Sequence, residues 1–460
     1  MVFDPNEPPA RPSRLIIPGR ENVGEEKPRI ILPPGVSRET PEDLPEYPRL
    51  RRVMMFPYRD GEREVIVVQD PLGITPGQPV LGIESLAILQ MLDGTVSLSD
   101  LTAAVMRESK DLRVGNMIRE FVAQLDGMLL LESPRFERAL SAARAAYHPL
   151  EIRPAALEGT SYPIDRVELD AMLDAHFAEA DAARESAGEP RPALDAVPRA
   201  LLAPHLDPRR EGALMARAFA QLGVAPSEPL RVVILGTGHQ LSGDYFALTR
   251  KHFDTPLGRA TCDTAFVDHV AERLGEPAYH SELVHRDEHS IEFMVLYLQK
   301  RLGERPFTIV PILCGGFYTL LDEERTPREE LALETLIDAL REAEHTLGGR
   351  TVYVASADLS HVGPRFGDQR VTDEVSELVR SVDDAAIEAA RTGDADAWFG
   401  VVGEKDDATR ICGFAPTYIM LRAASPSAGR ALGYVQSKEE DTSIVSVAAL
   451  VWPEAKSTMA

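Results

Sequence analysis

Apolar positions follow two different regimes along the chain. In the first, Val53–Phe56 and Val65–Val68 are short apolar runs around Arg59-Asp60-Gly61, and an Asp-Gly pair between two such runs predicts a β-hairpin. Ile83, Leu86, Leu89 and Leu92 then recur at near-helical spacing up to Asp93-Gly94, where glycine suits the left-handed position that ends a helix. A second helix is predicted from Ser97, with Asp100 forming an imperfect capping box and Leu101, Ala104 and Val105 as its apolar face. A third runs through Val114, Met117, Ile118, Phe121, Val122 and Leu125, stops at Gly127 and yields to the apolar run Met128–Leu131. A hairpin, three short helices and a closing strand predict a small winged-helix-like α+β domain over residues 49–135, followed by a helical connector over 136–152.

The second regime begins after a predicted helix from Val167 to about Arg184 and a linker, Glu185–Arg199, rich in Pro, Ala, Gly and charge. Ala200–Ala203, Val232–Leu235, Phe307–Ile312, Val352–Ala355 and Ile444–Val451 are short, mostly β-branched or leucine-rich runs separated by helical patterns. Such alternation predicts an α/β fold with a largely parallel central sheet flanked by helices. This domain spans 153–453, with a tail over 454–460. Ahead of both regimes, the closely spaced prolines of residues 1–48 (Pro8, Pro9, Pro12, Pro18, Pro28, Pro33, Pro34, Pro41, Pro45) predict a flexible leader that cannot build a core.

Composition narrows the functional classes. The 49 basic and 73 acidic residues give a formal charge of −24, which repels phosphate backbones and anionic membrane surfaces, so no nucleic-acid or membrane partner is expected. No apolar stretch approaches the roughly 20 residues that span a bilayer, and Met1–Arg20 lacks the layout of a signal peptide. A cytoplasmic location is therefore expected. The three cysteines, Cys262, Cys314 and Cys412, are too few and too scattered for a disulfide framework.

Candidate chemistry lies where strands end, which is where α/β sheets gather ligand groups. Ala203 is followed by Pro204-His205, Leu235 by Gly236-Thr237-Gly238-His239, and Ala355 by Ser356-Ala357-Asp358 and then Ser360-His361. The glycine-rich segment before His239 has neither the dinucleotide fingerprint nor the Walker lysine, so it is no phosphate loop. Asp287-Glu288-His289 opens a helical pattern, where acidic residues favour the helix dipole and His289 stands unexplained. Cys412 precedes Gly413 and a predicted helix, a setting expected to lower the pKa of its thiol. Cys314 reads as a buried apolar residue, and Cys262 has no ligand-like neighbours.

Ala203-Pro204-His205, Gly236–His239, Thr255-Pro256-Leu257-Gly258, Asp287–Glu292, Ser356–His361 and Ile411–Gly413 stand in the order and approximate spacing of the Memo family. These proteins are similar in fold to class III extradiol (LigB-type) dioxygenases, and bacterial members are called AmmeMemoRadiSam system protein B. The resemblance covers about residues 153 to 453, and even Glu158–Tyr162 sits where members begin a glycine-serine-aromatic stretch. It implies a metal site of His205, His239 and Cys412, with Asp358, His361 and His289 as further pocket residues. Fe(II) is the expected metal, with Cu(I) or Zn(II) as alternatives, since imidazole and thiolate donors suit all three. AMMECR-type and radical SAM partner proteins are implied by the same association.

The chain departs from the family's pattern at three places. Leu206-Asp207-Pro208 replaces Ala-Gly-Tyr, removing an aromatic wall and adding a carboxylate. Gly-Thr-Gly-His-Gln replaces Gly-Pro-Ser-His-His, so Gln240 stands for a second histidine, and Phe293-Met294 stands for Met-His. In the first regime, Leu92-Asp93-Gly94, Ser97–Leu101 and Asp126-Gly127 before Leu129–Glu132 resemble PqqD-like peptide-binding domains, which implies an extended peptide on the hairpin edge or dimerisation through it. The leading expectation is a metal-binding, redox-capable protein, an oxygen-dependent oxidoreductase acting on an organic substrate or modified peptide. A non-catalytic peptide- or protein-binding scaffold is the alternative. An extradiol dioxygenase ranks third, because Cys412 replaces the carboxylate ligand such iron sites use.

Overall fold

A computed structural model describes residues 44–454 apart from 61, 62, 71, 112, 226–228, 242, 405, 440 and 441. Most of the expected leader and nearly all of the tail therefore lie outside the described residues. The chain divides into two compact units, Met1–His148 and Pro149–Ala460.

In the first unit, strands Met54–Asp60 and Arg63–Gln69 pair antiparallel in a register running from Met54 opposite Gln69 to Asp60 opposite Arg63. The turn residues 61 and 62 lie outside the described residues. A third strand, Val80–Gly82, joins the second. The helical pattern from Ile83 resolves into a 3₁₀ turn, Ile83–Ser85, and one helical turn, Leu86–Leu89. Helices Leu98–Ser109, Arg113–Gly127 and Pro134–Tyr147 follow. Ser97 caps the first of these, its Oγ accepting from the Asp100 amide at 3.1 Å. The expected closing strand over 128–131 does not form a ladder. Leu129 has φ +59°, which breaks the extended backbone, leaving only a bridge between Leu50 and Leu131. The apolar faces still close the core, with Leu101, Val122, Leu125, Met128, Leu130 and Leu131 fully buried.

The second unit is α/β, with a mixed eight-stranded sheet flanked by helices. At its centre Ala200–Ala203, Arg350–Ser356, Leu230–Thr237 and Phe307–Cys314 are parallel neighbours in that order. The strand Ile444–Trp452 pairs antiparallel with Ala200–Ala203, and Arg430–Lys438 and His361–Val362 both pair antiparallel with it. At the other edge Phe246–Leu248 runs antiparallel to Phe307–Cys314. Of the five runs expected in a largely parallel sheet, four are parallel and Ile444–Trp452 is antiparallel; buried along all nine residues, it carries no alternation that would set it apart from a parallel strand.

The segment expected as a linker over 185–199 lies within the second unit rather than between the two, and is fastened along its length. Arg184 donates to the Glu189 carbonyl at 2.8 Å, the Gly223 amide to the Ala196 carbonyl at 2.7 Å, and the Arg199 amide to the Trp452 carbonyl at 2.8 Å. Its proline- and charge-rich composition reflects a surface path held by backbone bonds, so it cannot serve as a swinging arm.

All four parallel strands end on the same edge of the sheet, since Ala203, Gly236 and Ser356 share one register level and Thr237 faces Cys314. That edge is where the candidate residues collect.

Candidate metal centre

His205, His239 and Asp358 each lie two residues beyond the end of a central strand, after Ala203, Thr237 and Ser356. Adjacent parallel strands in common register deliver their following residues to one place. Cys412 arrives from across the chain, just before helix Phe414–Ala424. Gly413 makes that approach possible: a Cβ there would stand 2.5 Å from the Ala357 Cβ and 2.7 Å from the Asp358 carbonyl oxygen. Its amide donates to that same carbonyl at 3.0 Å.

The donor atoms of His205, His239 and Cys412 all lie within 4.8 Å of one another. The Cys412 Sγ is 3.4 Å from His205 Nε2. The two imidazoles meet edge to face with centroids 5.1 Å apart. Two overlapping groups share these residues: His239 with Glu288 and His289, and Cys412 with Asp358 and His361. His289 stacks on His239 at 4.7 Å between centroids and meets His205 edge to face at 5.3 Å. The structure thus brings all six sequence-chosen residues into one cluster.

Hydrogen bonds decide which ring nitrogens are free. The Ser356 hydroxyl donates to the Ser290 carbonyl at 2.6 Å, so toward His205 Nδ1, 3.1 Å away, its oxygen can only accept. His205 therefore carries its proton on Nδ1 and turns an unprotonated Nε2 toward Cys412. His239 Nδ1 lies 3.1 Å from the Glu288 Oε1. His361 Nδ1 is held by the Leu359 carbonyl at 2.8 Å and the Arg410 carbonyl at 3.1 Å. Asp358 does not set the tautomer of His361. Its Oδ1 accepts from the His205 amide at 2.7 Å, and its Oδ2 stands 3.8 Å from His205 Nε2.

Burial dominates the electrostatics. It holds the His205 and His361 imidazoles below the usual range and pushes the Asp358 carboxyl up. Burial also pushes the Cys412 thiol up, outweighing a hydrogen bond from His239, which reverses the lowering expected from the nearby helix terminus. For Glu288 burial acts upward too, but attraction to His239 and His289 holds its carboxyl well below the usual range. His239 is the counterpart: burial acts downward, yet Glu288 holds its imidazole well above the usual range.

Two of the anchoring residues were not identified as functional from sequence. Glu288 caps helix His289–Leu302, accepting from the His289 and Ser290 amides at 2.8 and 3.1 Å, and the dipole reading of Asp287-Glu288 covers only this part. Ser356 had no signal of its own beyond standing two residues before Asp358. The departures at 206–208 and 293 also resolve. Asp207 caps helix Pro208–Phe219 and pairs with Arg209 at 2.6 Å, so it serves that helix's first turn. Phe293 places an aromatic ring 5.4 Å from His289 and edge-on to Tyr162.

Beneath the cluster lies a charged clamp with no solvent exposure. Arg153 pairs with Glu292, and it also donates to the His285 and Glu288 carbonyls at 2.8 Å each. Glu292 further accepts from Tyr162 and from the Ala156 and Leu157 amides. The clamp thereby ties the start of the second unit to the turn that carries Glu288 and His289.

Comparison with known proteins gives the family of the second unit. The family model described as Memo-like protein matches residues 153–451. The chain belongs to the Memo-like family. A MEMO1 family protein of Aquifex aeolicus is 26% identical over 327 residues, covering 71% of this chain and 78% of the relative. A MEMO1 family protein of Thermus thermophilus is 30% identical over 290 residues, covering 63% and 79%. The protein memo-1 homolog of Caenorhabditis elegans is 29% identical over 235 residues, covering 49% and 61%. The Memo-like match begins at Arg153, in the clamp, and lies entirely within the second unit. No helix among the described residues is long and apolar enough to cross a membrane.

The donor set suits a transition metal. Two imidazoles and one sulfur are near enough to share an ion, and His205 has a ring nitrogen with its lone pair free. Hard ions such as Mg²⁺ or Ca²⁺ prefer all-oxygen shells, which these residues do not offer.

Proposed function

We propose that this Memo-like protein binds one transition metal through His205, His239 and Cys412 and supports redox chemistry on an organic or peptide substrate. The convergence of those three donors within 4.8 Å carries the reading. Fe(II) is the first choice of metal and Cu(I) the redox-active alternative; Zn(II) fits the same imidazole-thiolate donors but has no redox chemistry, so a zinc-only protein would keep the metal site and remove the redox part of the reading. A bound Fe or Cu ion would supply one-electron chemistry and a site for oxygen.

The protein's own residues would do the rest. Asp358 and His361 stand beside Cys412 with buried, shifted titrations, a setting in which an acid-base pair can hold or move a proton on a bound ligand. The partly exposed His289 ring, backed by the buried Phe293, offers a surface against which an apolar ligand could pack. Metal analysis of protein purified without oxygen tests the reading. About one equivalent of iron or copper, with oxygen consumption on adding a reductant, is the expected result. Protein that stays metal-free and takes up none of the three ions would overturn it and leave a ligand-binding scaffold.

A further inference from the structure

Glu288 stands in contact with more of the centre than any helix cap requires. Its Oε2 accepts from the His239 amide at 2.9 Å, while its Oε1 lies 3.1 Å from His239 Nδ1 and 3.0 Å from His289 Nδ1. The same Oε1 takes the His289 and Ser290 amides that open helix His289–Leu302. Its side chain is 2% exposed, whereas those of His239 and His289 are 32% and 34% exposed. The buried group is thus the carboxylate, and the two imidazoles that contact it are the more exposed partners.

We propose that Glu288 is the positioning residue of the metal centre: it keeps the proton of His239 on Nδ1, so that Nε2 faces the ion, and holds the His289 ring alongside. This rests on the metal reading above, but Glu288 itself is not one of the proposed ligands. The reasoning is geometric. An anionic acceptor 3.1 Å from Nδ1 favours the tautomer protonated there, and outer partners of this kind orient ligating imidazoles. Ser356 performs the same task for His205 with a neutral hydroxyl. The two ligating imidazoles are thus anchored differently, one by a charge and one by a dipole. Glu288 is itself held from behind, since Arg153 donates to its carbonyl oxygen. The position of the carboxylate is therefore referred to the buried clamp.

The full chain with ¹⁵N-labelled histidine tests this. In zinc-loaded wild type, ring ¹⁵N shifts should place zinc on Nε2 of His239, with a slowly exchanging Nδ1 proton. In metal-free protein, at a pH alkaline enough for neutral imidazoles, His239 should still be the Nδ1–H tautomer. Zinc on Nδ1, or a predominant Nε2–H tautomer in the metal-free wild type, would overturn the proposal. Glu288→Gln keeps an oxygen for the helix cap but removes the charge, and it should weaken zinc binding by roughly 10–100-fold and speed exchange of the His239 Nδ1 proton. Unchanged affinity with unchanged exchange would also overturn the proposal. If that variant does not fold, the wild-type spectra decide alone. A wild type that binds no zinc counts against the metal reading, and the alkaline spectrum still decides the role of Glu288.

Discussion

Cys412 differs from the other two cysteines in what surrounds it. Cys262 and Cys314 are 3% and 1% exposed, burial pushes both thiols up, and neither belongs to a candidate metal-ligand group among the described residues, although the Cys262 amide donates to His252 Nδ1 at 3.0 Å. Cys412 is partly exposed and lies against His205. Cys412→Ser should therefore weaken Cu(I) or Zn(II) binding at least about tenfold, because an alcohol stays protonated at neutral pH, while Cys314→Ala should leave affinity unchanged. Competition with a chromophoric chelator measures both. Gly413→Ala is expected to cost about 1–3 kcal/mol, since its Cβ would meet Ala357 and the Asp358 carbonyl, and to weaken metal binding by displacing Cys412. Thermal midpoints and the same chelator assay separate the two effects. At this scale His205 and His239 were legible because each stands within four residues of the end of an apolar run. Ser356 and Glu288 were not: their partners lie 151 and 49 residues away, and nothing in the local pattern records such pairings.

Elements of secondary structure were legible wherever an apolar run was long enough to show a period. Helices Leu98–Ser109, Arg113–Gly127 and Arg166–Ser186 stand near their predicted spans. The three-residue strands Val80–Gly82 and Phe246–Leu248 were too short for the pattern to register. The packing between elements carries two predictions. Removing one side of the Arg153–Glu292 clamp, as in Glu292→Ala, would strand a buried guanidinium and should cost about 3–5 kcal/mol in chemical denaturation. The second concerns His285, whose Nε2 donates to the Ala247 carbonyl at 2.9 Å and whose imidazole burial pushes down to about 4 from an ordinary 6.5. Between pH 6.5 and about 4 the unfolded chain takes up a proton there that the folded chain refuses, so stability should fall as the pH drops through that window. His285→Gln, which can still donate to Ala247, should flatten the decline by up to roughly 3 kcal/mol, read from urea midpoints across the range.

The whole molecule consists of two units, with every proposed ligand in the second. A fragment spanning residues 149–460 should fold cooperatively and bind metal with the affinity of the full chain. Loss of binding in a folded fragment would mean that residues 1–148 support the centre. The order of the ligands along the chain adds a further consequence. His205 and Cys412, whose donor atoms lie 3.4 Å apart, are separated by 207 residues. Between them the chain must lay down strands Leu230–Thr237, Phe307–Cys314 and Arg350–Ser356. Closing so long a loop before those strands exist has an entropic cost and no packing to offset it. During synthesis, a ribosome-bound chain that has not yet released Cys412 lacks the sulfur of the proposed donor set, so all three donors can meet only when translation of the domain is nearly complete.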